Sequence, residues 1–335
     1  MKKGILLLSA LTVLGASSVA EAKENVCVFD LLGKAGESYK LLEEWALAAK
    51  SWGGDINLIA YQDEAKVESD FKAGECDAFY MTSMRARSYN KFAGSIDALG
   101  GVPSNSIAQK AIAYVLDKRN NKRLVSTIGK EQFEVAGIGQ IGTAYIFVRD
   151  RSINTLEKGK GKKFAVLHYD QAQKMMVERF GAVPVMSDIS NFIKKFNSGE
   201  VDIVAAPAYA FKPLEMYKGL GTKGAMFNFP VVNVTADLII RPGKFEDNFA
   251  AQSRSWFVRQ LPKSFALVKR MEAEIPAKYK MNLEKEDQEK YQKLLREGRM
   301  DLTKQGVYDA TMMTVLKKAR CTVERTNFEC SLGGE

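Results

Sequence analysis

The segment Lys72-Ala73-Gly74-Glu75-Cys76-Asp77 returns in the second half of the chain as Asn197-Ser198-Gly199-Glu200-Val201-Asp202. In both places apolar side chains ahead of it are spaced as on one face of a helix: Val67 and Phe71 in the first copy, Phe192 and Phe196 in the second. A glycine able to take the left-handed conformation then ends the helix and feeds a strand directly. The surroundings repeat as well. Residues 26–33, 55–61 and 76–82 read as short buried strands, separated by helical patterns at 37–50 and 64–73. Residues 163–167, 183–186 and 201–205 read as strands again, separated by helical patterns at 171–180 and 188–197. Strand and helix alternating in this way specify an α/β fold with parallel-rich sheets flanked by helices, here built twice.

A chain of 335 residues fits two such lobes, each large enough to bury its own core. Between them lie residues 132–150 and 229–242, rich in Val, Ile, Phe, Tyr and Thr and without helical periodicity, which read as extended hinge segments. The first lobe is expected to comprise 23–141 and 240–335, and the second 142–239. Residues 247–316 read as mostly helical and are expected to wrap back onto the first lobe, with 284–299 a solvated, mixed-charge helix face. Open α/β sheets take ligands beyond the carboxyl ends of their strands, so two facing lobes should enclose a cleft.

The first 22 residues differ from the rest. Lys2 and Lys3 precede an apolar stretch from Ile5 to Leu14, and small residues follow up to Ala20-Glu21-Ala22. This order is that of a cleavable secretory signal, and the run is shorter than the ~20 residues of a spanning helix. An exported, soluble, periplasmic protein is therefore expected. The formal net charge is +9, but basic residues are scattered among acidic ones. The densest cluster, Lys158, Lys160, Lys162 and Lys163, is too short for a nucleic-acid stripe, so no nucleic-acid partner is expected. In an exported chain the four cysteines favour disulfides. Cys321–Cys330 closes a short loop, and Cys27–Cys76 would join two neighbouring strands.

Catalytic signatures are few. Gly137-Ile138-Gly139-Gln140-Ile141-Gly142 has the spacing of a dinucleotide loop, but a strand-like run follows it where a helix should start. Flexible glycines in a hinge strand are the better reading. The chain has one histidine, His168, which excludes multi-histidine zinc sites, and no metal or cofactor is expected. His168-Tyr169-Asp170 ends a second-lobe strand, where a cleft ligand would be touched. Arg85 and Arg87 follow the third strand, and an arginine fork suits a carboxylate or phosphate. Asp30, Tyr145, Tyr209 and Asn233 fall on strand ends or hinges by the same reasoning. The expected ligand contacts are thus Asp30, Arg85, Arg87, Tyr145, His168, Asp170, Tyr209 and Asn233.

From Arg151 to Pro207 the chain resembles the substrate-binding subunits of tripartite ATP-independent periplasmic (TRAP) transporters. The resemblance rests on the strand Lys163-Phe164-Ala165-Val166, on Phe180-Gly181-Ala182-Val183-Pro184, and on Gly199-Glu200-Val201-Asp202 ahead of Pro207. It implies a two-lobed binding-protein fold of type II, a monomer that captures a small-molecule solute and delivers it to membrane transporter subunits. Two positions depart from that family. Ala165 stands where a carboxylate-binding arginine is usual, and Ala206 where an asparagine is usual. The chain is also similar to exported proteins labelled as resistance-nodulation-division efflux components. An envelope interaction protein associated with efflux, or a hydrolase or transferase using His168 with Asp170, are the alternatives to solute binding.

Overall fold

The computed structural model describes residues 23–335; the expected signal, 1–22, lies outside the described residues. The first half runs β1 (Glu24–Phe29), α1 (Glu37–Ala49), β2 (Ile56–Tyr61), α2 (Glu64–Lys72), β3 (Ala78–Thr82), α3 (Ser83–Ala86), α4 (Lys91–Gly94), α5 (Asn105–Val115) and β4 (Val125–Ile128). A long strand β5 (Glu131–Val148) leads to α6 (Leu156–Gly159), β6 (Lys163–Leu167), α7 (Gln171–Arg179), β7 (Val183–Ser187), α8 (Phe192–Ser198), β8 (Ile203–Pro207) and α9 (Tyr217–Leu220). The chain returns along β9 (Ala225–Ile240) and ends with α10 (Phe249–Ala273), β10 (Lys280–Met281), α11 (Lys285–Lys304) and α12 (Ala310–Val323).

The repeated glycines end their helices as their chemistry requires: Gly74 has φ +82° and Gly199 φ +84°. Acceptors open the helices. Asp63 takes the Ala65 N–H at α2 and Asp170 takes the Ala172 N–H at α7. The second repeat departs from the sequence reading at one boundary. Residues 188–191 form a turn because the Asn191 side chain takes the Asp188 N–H, so α8 starts only at Phe192.

All the strands lie in one sheet, ordered β2-β1-β3-β9-β5-β8-β6-β7, with β4 on β5 and β10 on β9. Pairing is parallel for β1 with β2 and β3 and for β6 with β7 and β8, while β9 runs antiparallel to β3 and β5. The two extended segments are therefore not loose connections but the centre of the sheet, bonded to each other along their length. Their ladder shifts register at four places, one of them between Gln140 and Gly142, where Gly142 takes φ +150°. Gly137 and Gly139 serve a different purpose from flexibility. A Cβ on Gly137 would lie 2.2 Å from the Phe257 ring of α10, and one on Gly139 would lie 2.0 Å from the Tyr80 hydroxyl. They are glycines because helix and tyrosine pack directly on the backbone of β5.

Of the C-terminal helices, one departs from expectation. Helix α12 packs on α5 in the first lobe, but α11 lies against α7 in the second. Arg179 of α7 pairs with Asp301 at 2.7 Å and with Glu297 at 3.4 Å, and Phe180 meets Tyr291 edge-on. Residues 284–299 do carry a solvated face, with Lys285, Glu286, Glu289, Lys290 and Lys293 exposed, and bury the other through Tyr291, Leu295 and Arg299.

Both expected disulfides form, with Cα separations of 5.9 Å for Cys27–Cys76 and 5.7 Å for Cys321–Cys330. The first joins β1 to the residue leading into β3 across 49 positions of sequence, the second closes only 9. Loop-closure entropy makes the long bridge worth about 4 kcal/mol and the short one about 2.5 kcal/mol. Replacing Cys27 and Cys76 together by Ser is thus expected to lower the urea midpoint more than the same change at Cys321 and Cys330. The reverse order would show that the unfolded chain is not what these bridges restrain.

Candidate functional site

The carboxyl ends of β1, β3, β6 and β8 point at one another across the two lobes. They enclose a cavity of roughly 110 Å³, walled at those ends by Phe29, Thr82, Leu167 and Pro207. Other walls come from Ile141, Ala144 and Ile146 of β5, Val231, Val232 and Val234 of β9, and Met176 and Val177 of α7. Tyr291 and Leu295 of α11 complete it. Its surface is overwhelmingly hydrocarbon. Among the described residues lining it there are three acids, Asp30, Asp97 and Asp170, and no Lys, Arg or His.

Four contacts across the cleft hold the lobes together over this cavity. At the end of β1 the buried Asp30 accepts N–H groups from Leu32, Ser38 and Tyr39, and the Tyr209 hydroxyl of the other lobe at 2.7 Å. Gly36 makes room for that carboxylate, since a Cβ there would sit 1.7 Å from Asp30 Oδ1. On the opposite side Glu64, fully buried at the start of α2, takes the Thr82 N–H and the Tyr169 hydroxyl, each at 2.7 Å. Burial pushes the Glu64 carboxyl up, against the pull of those two hydrogen bonds and of Arg85. The Tyr169 ring is covered by the Arg85 guanidinium 4.5 Å from its centre. Between these, Arg87 Nη1 meets Asp170 Oδ1 at 3.4 Å. Burial works against the Arg87 charge, but Asp170 and its neighbours outweigh it and hold the guanidinium above its usual range.

Behind Arg87 lies a second buried group of acids. Thr235 donates to Asp97 through its hydroxyl and its N–H, and Ser83 donates to Asp237 Oδ1 at 2.5 Å. Desolvation raises both carboxyls, Asp237 to about 7 and Asp97 well above the usual range.

Of the residues singled out in the sequence, Asp30, Asp170 and Tyr209 line the cavity. Arg85 and Arg87 stand one layer back, Arg85 bound to Glu68 at 2.8 Å and Arg87 to the Gly94 carbonyl at 2.8 Å. His168 turns outward, half exposed, with its ring 2.8 Å from Asp188. Tyr145 donates to Glu272 of α10, and Asn233 forms a reciprocal amide pair with Gln140 inside the β5–β9 ladder. Ala165 lines the cavity, whereas Ala206 is packed with Phe147 and Phe211 in the core of the second lobe. Reading the sequence missed Glu64, Met84, Gln173, Tyr291 and Leu295, and placed Tyr169 at the cleft only as part of His168-Tyr169-Asp170. Tyr291 and Leu295 did carry a signal, being four residues apart on one helix face, but the charges on either side of them masked it.

A family model described as Solute-binding protein AdeT 1/2 matches residues 42–335. The probable solute-binding protein AdeT1 of Acinetobacter baumannii is 44% identical over 308 residues, 92% of this chain and 100% of AdeT1. The probable solute-binding protein AdeT2 of the same organism is 28% identical over 241 residues, 71% of this chain and 99% of AdeT2. Among solved structures, a TRAP periplasmic solute-binding protein from Desulfovibrio salexigens with bound orotic acid has TM-score 0.69 at 12% identity, covering 91% of this chain and 99% of its own. One from Sulfurospirillum deleyianum with bound succinate has TM-score 0.66 at 14% identity, covering 89% and 100%. At such identities these structures establish the two-lobed fold.

Proposed function

The chain belongs to the AdeT 1/2 family of solute-binding proteins, and from that we propose that it captures a small molecule between its lobes and delivers it to a membrane transporter. Export to the periplasm by the sequence at 1–22 is part of this reading, and the two disulfides support it. The observation that carries the proposal is the cleft itself: an apolar cavity at the strand ends, sealed by side chains that meet only when the lobes are shut. Capture is then a shift from an open to a closed population, driven by contacts the ligand makes with both lobes at once.

The lobes are proposed to be 23–141 with 240–335, and 142–239. The bulge at Gln140–Gly142 supports the first crossing, and Gly142 facing Val234 argues for a return crossing near Val234, a few residues ahead of 240. Binding by closure needs no nucleophile, and His168 with Asp188 on the outer surface offers none to the cleft.

The Tyr209 hydroxyl is a test of closure. Tyr209→Phe removes one hydrogen bond to a carboxylate, worth ~1.5–3 kcal/mol, and so should move the equilibrium toward the open form by roughly ten- to a hundredfold. Small-angle scattering should show a larger radius of gyration for the variant than for the parent, with thermal stability nearly unchanged. Equal radii would mean that the lobes do not part, and the solute-capture reading would fall with them.

A further inference from the structure

Resting on the solute-binding reading, we infer that the cavity selects a compact, ring-sized apolar molecule whose polar group is a hydrogen-bond donor, an amine or a hydroxyl, and that it discriminates against carboxylates. Size comes first. A cavity of roughly 110 Å³ is of the same order as the ~150 Å³ apolar cavity known to hold a benzene ring, which points to a single ring and excludes a fused-ring or long-chain molecule. Its walls reward hydrocarbon, because the exposed ends of Phe164, Phe192, Ile141 and Leu295 offer no polar partner.

The polar end is set by Asp170 and Gln173, on the first turn of α7. Asp170 is 4% exposed and lines the cavity; its Oδ1 takes the Ala172 N–H and faces Arg87, while Oδ2 has no hydrogen-bond partner among the described residues. On the cavity side and without a partner, that oxygen is free to accept a ligand N–H or O–H. Gln173 Nε2 has only the Met84 sulfur, at 3.4 Å, and can serve the acceptor side of a hydroxyl. A carboxylate meets the opposite environment. With Ala165 in the wall, no cation lines the cavity among the described residues; Arg87 gives Nε to the Gly94 carbonyl and Nη1 to Asp170, and its Nη2, without a partner, is buried away from the cavity surface. An anion would be desolvated in this hydrocarbon cavity with no cation in its wall to match it. The solved neighbours hold orotic acid and succinate, so the charge preference inferred for this chain is the reverse of theirs.

The test uses the mature protein and three compounds sharing one ring, 2-phenylethylamine, 2-phenylethanol and phenylacetate, with succinate as a fourth, measured by isothermal calorimetry. The amine and the alcohol are expected to bind at least about tenfold more tightly than phenylacetate, since a hydrogen bond to a charged group is worth ~1.5–3 kcal/mol. Asp170→Asn, which keeps a capping side chain, should reduce amine affinity about tenfold and alcohol affinity by less, with far-UV circular dichroism reporting that the variant is folded. Should Asp170→Asn not fold, the wild-type series alone decides. Binding of phenylacetate or succinate as tight as that of the amine overturns the inference while leaving solute capture intact. No binding by any of the four overturns it too, and whether capture itself fails is then read from the scattering of Tyr209→Phe.

Discussion

Replacing Arg320 by Ala is expected to destabilise the protein by about 3–5 kcal/mol, the cost of leaving a buried charge network short of one partner. Arg299 and Arg320 are both fully buried, on α11 and α12, and share the carboxylates of Glu329 and Glu335. Each also holds a backbone carbonyl of the first lobe, Arg299 that of Leu99 at 3.0 Å and Arg320 that of Gly101 at 2.7 Å. The network thus ties the tail, stapled by Cys321–Cys330, to the turn that carries Leu99 into the cavity wall. Removing Arg320 strands carboxylate charge among apolar neighbours and frees the Gly101 carbonyl. Urea unfolding of the variant should show a midpoint far below the parent's at unchanged slope. A loss under about 1 kcal/mol would mean that water reaches these groups and that they behave as surface pairs.

Asp237→Asn is expected to act in the opposite direction, and only at high pH. In the unfolded chain this carboxyl titrates near its ordinary value, but in the folded protein burial raises it to about 7. The folded state therefore holds a proton that the unfolded state has lost, and stability falls as pH rises from about 4 to about 7, staying low above that. At 1.36 kcal/mol per unit the penalty at pH 8 is on the order of a few kcal/mol. Arg87 lies close enough to lessen it, while Asp97 is pushed up in part by the Asp237 charge, so the variant relieves both acids. The difference between parent and Asp237→Asn, measured by unfolding at pH 5 and at pH 8, should favour the variant at pH 8 and shrink toward pH 5. A difference independent of pH would show that Asp237 is charged throughout, matched by Arg87.

The lobes were legible because their signals are local. Helix spacing, a capping acid and a left-handed glycine each act within a few residues, so both copies of the strand–helix unit could be read and the two disulfides placed. Interactions across the molecule left a weaker trace. Glu64 looks like any first-turn acid at the start of a helix, and only folding shows that it is buried under Thr82 and Tyr169. Gly137 and Gly139 suggested mobility because the sequence shows what a glycine permits and not what is pressed against it, here Phe257 and Tyr80. Asp30, Asp170 and Tyr209 could be placed at the cavity from the sequence because ends of parallel strands are where a cleft opens. Arg85 and Arg87 have the right chemistry for an anion, but Glu68 and Asp170 reach them first.

Since β5 and β9 run unbroken through the middle of the sheet and bind each other on both sides of Gly142, the lobes cannot turn like a door on two pins. The pair behaves as a leaf spring. Opening must be spread as added twist over several residues, with the offset at Gln140–Gly142 taking the largest share because the ladder is already interrupted there. The swing is limited by how far a ladder can wind before its bonds part.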